Sequence, residues 1–325
     1  MVKWGVLGTA AIFNRSTGNA MQLAENCEPY AIAGRNPAKV DAYKEKFGFA
    51  KGYYSFDELL ADPEVQAVYV PLPNAMHCEW TIKALNAGKH VLCEKPFAPC
   101  EADARAMFEA AHANGVQVME AFAYQHSPFI QALCDEIASG AIGKLRYVEA
   151  KLVTSDSDVS DPRMRRETYG GAIYDLGVYP ASFVQRIIGE EPVQVHALSS
   201  FSDEGVDFHT EAYLEYENDI RASIVCGMDL ERDPWNAIDS FAIHGSKGSI
   251  EPVRFAFNAQ GPLVYKLRTF DGVKEKKIIE TPNNYQLEIE QFGRVIEQGE
   301  APRVTEEFTC ANLRTVDRIL KEIGY

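Results

Sequence analysis

Lys3-Trp4-Gly5-Val6-Leu7-Gly8-Thr9-Ala10-Ala11-Ile12-Phe13 is an apolar run that meets a glycine and passes into residues suited to a helix. A strand turning at a glycine into a helix is the first step of a strand–helix–strand unit. In a dinucleotide-binding loop, glycines at this point allow a tight turn and bring a pyrophosphate against the helix N-terminus. Here only the first glycine of the G-x-G-x-x-G spacing is present; Ala10 takes the second place and Phe13 the third. Gly8, Thr9, Ala10, Ala11 and Ile12 are therefore candidate cofactor contacts. An ordinary strand–helix turn is the other reading of the same residues.

Strand candidates continue at Tyr30–Ala33, Gly52–Tyr54, Val65–Val70, His90–Cys93 and Val116–Glu120. The intervening stretches carry helix punctuation. Pro37 opens and Gly48 closes one; Ser55 and Glu58 have capping-box spacing; Asn74 and Gly88 bracket the next, and Pro99 and Gly115 another. Such alternation predicts parallel strands with crossover helices on both faces. After Ala121 the pattern changes. Ser127-Pro128 starts a helix, Lys144–Val153 reads as a strand, and a helix lies near Gly171–Ile188. Val193 to Ile279 reads as successive antiparallel strands, and helices near Tyr285–Glu297 and Thr305–Glu322 follow. The predicted class is α/β: a Rossmann dinucleotide-binding domain over 1–121, then an α+β domain over 122–325 with a large open, mostly antiparallel sheet.

Composition narrows the function. The chain has 325 residues, enough for two domains of ordinary size. Its formal net charge is −15. So acidic a surface repels phosphate backbones and anionic lipid, so neither nucleic acid nor membrane is an expected partner. Seven scattered cysteines without a C-x-x-C predict neither a disulfide framework nor a zinc site, and with no signal-peptide pattern the expected location is the cytoplasm. No metal is expected. Asp156, Asp158, Ser160 and Glu167 follow a calcium-loop spacing, but Asp161 stands where the loop's sharp turn needs glycine.

The second strand ends in Ala33-Gly34-Arg35-Asn36. An NAD-selective site wants a carboxylate there for the ribose hydroxyls. Arg35 instead suits a 2′-phosphate, with Lys39 one helical turn on, so NADP(H) is the preferred cofactor and NAD(H) a possible one. The fourth strand leads into Pro71-Leu72-Pro73-Asn74-Ala75-Met76-His77, and the fifth into Glu94-Lys95-Pro96. Both lie at C-terminal strand ends, where open α/β sheets bind ligands. Pro96 forces Lys95 out of helical geometry.

Two stretches, Ala84-Leu85-Asn86-Ala87-Gly88-Lys89-His90-Val91-Leu92-Cys93-Glu94-Lys95-Pro96 and Gly170-Gly171-Ala172-Ile173-Tyr174-Asp175-Leu176-Gly177-Val178-Tyr179-Pro180, resemble the Gfo/Idh/MocA oxidoreductase family. The likeness extends to Tyr285–Phe292 near the C-terminus. It implies a catalytic Lys95, with Glu94 and Pro96 shaping a nicotinamide pocket and Pro71, Leu72, Asn74 and His77 forming the loop under the cofactor. It puts Asp175 and Tyr179 in a second catalytic motif. Many members have a histidine at the place of Tyr179. A tyrosine resembles the dihydrodiol dehydrogenase, D-xylose dehydrogenase and anhydrofructose reductase branch, and makes a Lys95–Tyr179 pair the expected proton-handling device.

The chemistry is consistent with that implication. A hydride moving to or from a nicotinamide requires the substrate oxygen to lose or gain a proton. A phenol, with pKa ~10, needs a nearby positive charge to act as a base near neutrality. Asp175 and Tyr179 are four apart and share a face in a regular helix, though Gly177 and Pro180 predict a kink. Arg163 and Tyr124 are further substrate-side candidates, and Tyr285 a cofactor-side one. The expected activity is oxidoreduction of a sugar or cyclic polyol at a CH–OH group. A non-catalytic regulator of the same fold and a dihydrodiol-type dehydrogenase are the alternatives. An uncovered face of the antiparallel sheet predicts a homodimer.

Overall fold

The computed structural model describes residues 1–155, 161–230 and 237–325. Asp156, Asp158 and Ser160 of the calcium-loop spacing lie outside the described residues. The described chain forms two compact units: Met1–His126 with Pro282–Thr309, and Ser127–Thr281 with Cys310–Tyr325.

In the first unit, β1 (Val2–Leu7), β2 (Cys27–Ala33), β3 (Lys51–Tyr53), β4 (Ala67–Val70), β5 (His90–Glu94) and β6 (Val118–Ala121) form a sheet in the order β3-β2-β1-β4-β5-β6. Every pairing in it is parallel. The order reverses between β1 and β4, and that is where a doubly wound sheet opens a crevice at its strand ends. Strand β4 is buried along its whole length, as a sheet covered on both faces requires. The helices are α1 (Gly18–Leu23), α2 (Pro37–Phe47), α3 (Phe56–Leu60), α4 (His77–Asn86) and α5 (Glu101–Asn114). Several helix ends fall where the sequence punctuates them. Asn36 caps α2 with Pro37 in its first turn, and Gly48 ends it in left-handed geometry. Gly115 ends α5 in the same way. Two starts differ from the reading. The segment opening at Asn74 is a single 3₁₀ turn before α4, and α5 begins after Cys100, one residue beyond Pro99.

The second unit begins with α6 (Pro128–Ala138), capped by Ser127 with Pro128 in its first turn. Strand β7 (Leu145–Ser155) and helix α7 (Val178–Ile188) follow. Then come β8 (Gln194–Phe201), β9 (Asp207–Glu215), β10 (Arg221–Leu230), β11 (Ile238–Gly245), β12 (Gly248–Arg254), β13 (Gly261–Thr269) and β14 (Lys274–Thr281). They form an eight-stranded sheet in the order β14-β13-β12-β11-β7-β10-β9-β8. All its pairings are antiparallel except β7 with β10. That pair is joined through α7, β8 and β9, a connection long enough for the crossover a parallel pair needs.

The chain then returns to the first unit with α8 (Asn284–Gln298), and α9 (Glu306–Glu322) closes it. The sequence division at Ala121 kept α8 with the second domain. In the structure Trp4 of β1 packs at a tilt against Phe292 of α8 with ring centroids 5.8 Å apart, and Asn26 Nδ2 donates to Glu290 O at 2.8 Å. Burial of Ile289 and Phe292 against the parallel sheet, which no linear pattern announces, assigns this helix to the first unit.

Candidate active site

The turn after β1 has the form a dinucleotide requires. Gly8 sits at φ +104°, and a Cβ there would lie 3.1 Å from Leu72 Cδ2. Helical backbone starts at Ala11, so its unpaired N–H groups face the turn. The third fingerprint place behaves differently from a glycine. Phe13 is fully buried among Tyr43, Phe47, Phe49 and Tyr69, at the start of a π-helical turn over Phe13–Thr17. The close-packing glycine comes five residues later: a Cβ on Gly18 would stand 2.5 Å from Phe47 Cε1. The fingerprint looks incomplete because the widened turn shifts the tight contact along the chain.

At the end of β2, Gly34 packs so closely that a Cβ would meet Val40 Cγ2 at 3.0 Å. Arg35 and Lys39 follow, both exposed. The Lys39 backbone N–H is held by Asn36 Oδ1, which fixes the start of the helix carrying that lysine.

His77 ties two strand ends together. Its Nδ1 is 2.7 Å from Pro96 O and its Nε2 is 2.7 Å from Leu72 O. Burial pulls its pKa below the ordinary value, while the two carbonyls favour the doubly protonated ring. His77 thus bridges the loop after β4 and the Lys95-Pro96 turn after β5. That turn is a cis peptide. The Lys95 N–H donates to Glu94 Oε2 at 3.2 Å, and Glu94 Oε1 accepts a 2.5 Å bond from Tyr69, whose hydroxyl also meets Thr17 Oγ1 at 3.0 Å. Lys95 itself is half-buried.

Three residues of this neighbourhood escaped the sequence. Glu120 accepts from the Phe97 N–H at 3.0 Å and from Thr309 Oγ1 at 2.8 Å. Burial pushes its carboxyl up to about 7, Glu94 adds to the rise, and Lys95 opposes it. Glu288 of α8 is also buried, and burial together with Glu94 and Glu120 pushes its carboxyl well above the ordinary value. Lys89, inside the resembling stretch, donates to Asp62 O and Val65 O at 2.7 and 2.8 Å, a structural staple under β5. Tyr124 is fully buried, with its hydroxyl accepting from Gln125 Nε2 at 2.6 Å. Tyr285 lies in the first turn of α8, half-buried.

In the second unit, Gly170 and Gly171 have distinct steric reasons. A Cβ on Gly170 would lie 2.3 Å from Arg163 O. One on Gly171, at φ +103°, would lie 2.1 Å from Asp207 Oδ1. Asp207 is fully buried at the start of β9, and its Oδ2 accepts from the Ile173 N–H at 2.8 Å and from Thr210 Oγ1 at 3.1 Å. It thus caps, from a distant strand, the helical run bearing Asp175 and Tyr179. Burial pushes its carboxyl up to about 6. The kink expected near Gly177 takes the form of a π-helical turn over Ile173–Gly177, leading straight into α7. Gly177 is needed there because a Cβ would crowd Cys226 Sγ at 2.9 Å.

Arg163 donates twice to Asp161, through Nε at 3.0 Å and Nη2 at 2.8 Å, and through Nη1 to Asp175 Oδ2 at 3.3 Å. The fork engages Asp161, and the remaining nitrogen reaches the Asp175 carboxylate by a single longer bond. Tyr179 Oη accepts from Asn258 Nδ2 at 3.3 Å, and its ring lies 5.5 Å from that of Phe257. No linear signal marks Asn258, which sits in the turn after β12. Among the described residues no group of His, Cys, Asp and Glu could hold a metal, no disulfide joins the described cysteines, and no helix is long and apolar enough to cross a membrane.

A reversed parallel sheet with a glycine turn at its switch point defines an α/β protein of the dinucleotide-binding class. Residues 2–122 match the model of the oxidoreductase family with an NAD-binding Rossmann fold, and 130–251 match the GFO/IDH/MocA C-terminal domain. The chain belongs to the Gfo/Idh/MocA oxidoreductase family. It is 32% identical over 319 residues to D-xylose 1-dehydrogenase (NADP(+)) 2 of Haloferax volcanii, covering 97% of this chain and 95% of that one. It is 30% identical over 250 residues to mouse trans-1,2-dihydrobenzene-1,2-diol dehydrogenase, covering 76% and 73%. A crystal structure of a 3-ketoreductase from Actinomadura kijaniata with NADP and TDP-benzene superposes with a TM-score of 0.92 at 28% identity, covering 99% and 98%.

Proposed function

We propose that this oxidoreductase uses NADP(H) to interconvert a CH–OH group and a carbonyl on a sugar or cyclic polyol, with Lys95 and Tyr179 handling the proton. The bound nicotinamide supplies the hydride chemistry; the chain's own residues hold the cofactor and manage charge. Gly8 to Ile12 would receive the pyrophosphate, Arg35 and Lys39 the 2′-phosphate, and Gly34 the adenosine ribose. Pro71, Leu72, Asn74, Glu94, Pro96 and Tyr285 would complete the cofactor side, with His77 setting the two loops. Lys95 would hydrogen-bond the substrate oxygen and stabilise negative charge on it. Tyr179 would exchange the proton, and Asp175, steadied by Arg163, would orient substrate hydroxyls. The observation that carries this reading is the Glu94-Lys95-Pro96 turn, anchored by His77 and Tyr69 at a strand end beside the switch point. Absorbance of the reduced nicotinamide, followed across aldoses, cyclic diols and ketosugars with both cofactors, tests it. No change with any of them would remove the enzymatic reading.

Two finer points belong to the same proposal. Arg35 with Lys39 favours NADP(H): a charge-assisted pairing with the 2′-phosphate is worth about 1.5–3 kcal/mol, roughly 10–100-fold in affinity. Arg35→Ser is expected to erase most of that preference in a fluorescence titration with both cofactors. NAD(H) binding as tightly as NADP(H) to the unaltered protein would refute the assignment. The outer face of the eight-stranded sheet exposes Leu198 at 82% and Ile278 at 59%, while α6 and α7 pack on the sheet through apolar side chains. We assign that outer face to an isologous homodimer. Light scattering at micromolar concentration should give twice the mass of one chain, and a single-chain mass would exclude the dimer. A cytoplasmic location completes the proposal, supported by cysteines that no disulfide joins.

A further inference from the structure

Tyr179 is flanked by a wall of rings. Phe257 lies 5.5 Å from it, and Phe257 packs in turn on Phe255 at 5.2 Å and on Phe183 at 6.1 Å. Asn258 meets the phenol from the same turn, its Nδ2 3.3 Å from Tyr179 Oη. The turn is itself pinned: Asp239, on β11, accepts from the Phe257 N–H at 3.1 Å. The amide can approach from a defined direction because its neighbour's backbone is tied to the sheet.

We propose that Asn258 is a positioning residue for Tyr179, donating its amide proton to the phenolic oxygen so that the ionised form is stabilised and the phenolic hydrogen is directed away from the turn, toward the substrate. This rests on the reading of Tyr179 as the proton-exchanging group. A donor hydrogen bond holds one lone pair of a hydroxyl and leaves its hydrogen for another acceptor. When the phenol ionises, the same bond becomes charge-assisted and strengthens. Asn258 thereby acts in both directions of the reaction: it orients the proton in the neutral state and lowers the energy of the anion in the other. Charged groups on these elements, among the described residues, include Asp175, four residues before Tyr179 and paired with Arg163, and Asp239, whose carboxyl burial pushes up to about 7. Burial favours the neutral form of Asp239, which lessens its negative charge against the phenolate, and Asp175 is paired with the Arg163 guanidinium.

The ionisation of Tyr179 can be read without a substrate. The near-ultraviolet phenolate band is titrated in the full chain and in Tyr179→Phe, and the difference isolates the Tyr179 midpoint. The same pair is measured in the Asn258→Leu background. Losing a hydrogen bond to a charged oxygen is expected to raise the midpoint by about one to two pH units. Asn258→Asp, close in shape and able to fold where leucine is not tolerated, is expected to raise it at least as far, because a carboxylate cannot donate. A midpoint that is unchanged or lower in both variants overturns the proposal; a lower one would mean that the amide oxygen, not its N–H, faces the phenol. The catalytic reading is tested apart from this, by whether Tyr179→Phe loses turnover with the substrate identified from the panel. Full turnover in Tyr179→Phe with a shifted midpoint in Asn258→Leu would sink the role of Tyr179 and leave the electrostatic pairing standing.

Discussion

Lys95→Ala is expected to lower kcat/KM by about 10²–10⁴-fold, the usual worth of a positioned acid–base group, while cofactor affinity stays near that of the unaltered protein. The two outcomes separate because the turn is built by backbone and by other side chains. The Lys95 N–H meets Glu94, and His77 holds Pro96 O and Leu72 O; none of these contacts uses the lysine amine. An alanine keeps all of them, so the cofactor loops keep their shape. What disappears is the ammonium that we propose meets the substrate oxygen. Initial rates at saturating cofactor, beside a fluorescence titration of NADP(H), make the measurement. Turnover equal to that of the unaltered enzyme would remove Lys95 from the chemistry. Loss of cofactor binding in step with turnover would make its role one of cofactor retention instead.

Gly171→Ala is expected to cost the second unit about 3–5 kcal/mol, among the larger effects a single methyl group produces. Two costs combine. At φ +103° an alanine is strained by roughly 1–3 kcal/mol. The new Cβ would also stand 2.1 Å from Asp207 Oδ1, so the carboxylate must leave the Ile173 N–H. A buried donor left without its partner costs about 1–3 kcal/mol more. Gly189→Ala is the matching control. Its φ of +77° is also left-handed, but nothing lies within 4 Å of its Cβ position, so only the backbone cost of about 1–2 kcal/mol applies. Urea midpoints of the two variants compare them directly. If Gly171→Ala unfolds no earlier than Gly189→Ala, Asp207 is not held where the helix start requires it.

Much of the frame was legible in the linear chain, and for local reasons. Pro37 and Gly48 bracket α2 because one fixes φ at a helix start and the other takes left-handed φ at its end. The apolar strands of the first unit and the punctuated helices between them were enough to anticipate the parallel sheet, since burial on two faces leaves a compositional mark. Several site features were not legible. Phe13 looked like a damaged fingerprint, because the sequence cannot show a π-turn that moves the close-packing role to Gly18. Glu288 drew no reading of its own in the sequence, because its burial beside Glu94 and Glu120 depends on where α8 docks.

By itself the sequence determined the doubly wound first half, the strand-end setting of Lys95, the α/β class and the family. The first three are written in spacing and periodicity over a few residues to a few turns; the family rests on the resemblance of whole motifs such as Glu94-Lys95-Pro96. Tertiary structure alone decided the return of α8 to the first unit, the capping of the Asp175–Tyr179 helix by Asp207, and the meeting of Asn258 with Tyr179. Ile173 and Asp207 are 34 positions apart, and Tyr179 and Asn258 are 79 apart. Such pairs are brought together by strand order and register, which depend on the burial of whole faces at once and leave no local mark in the chain.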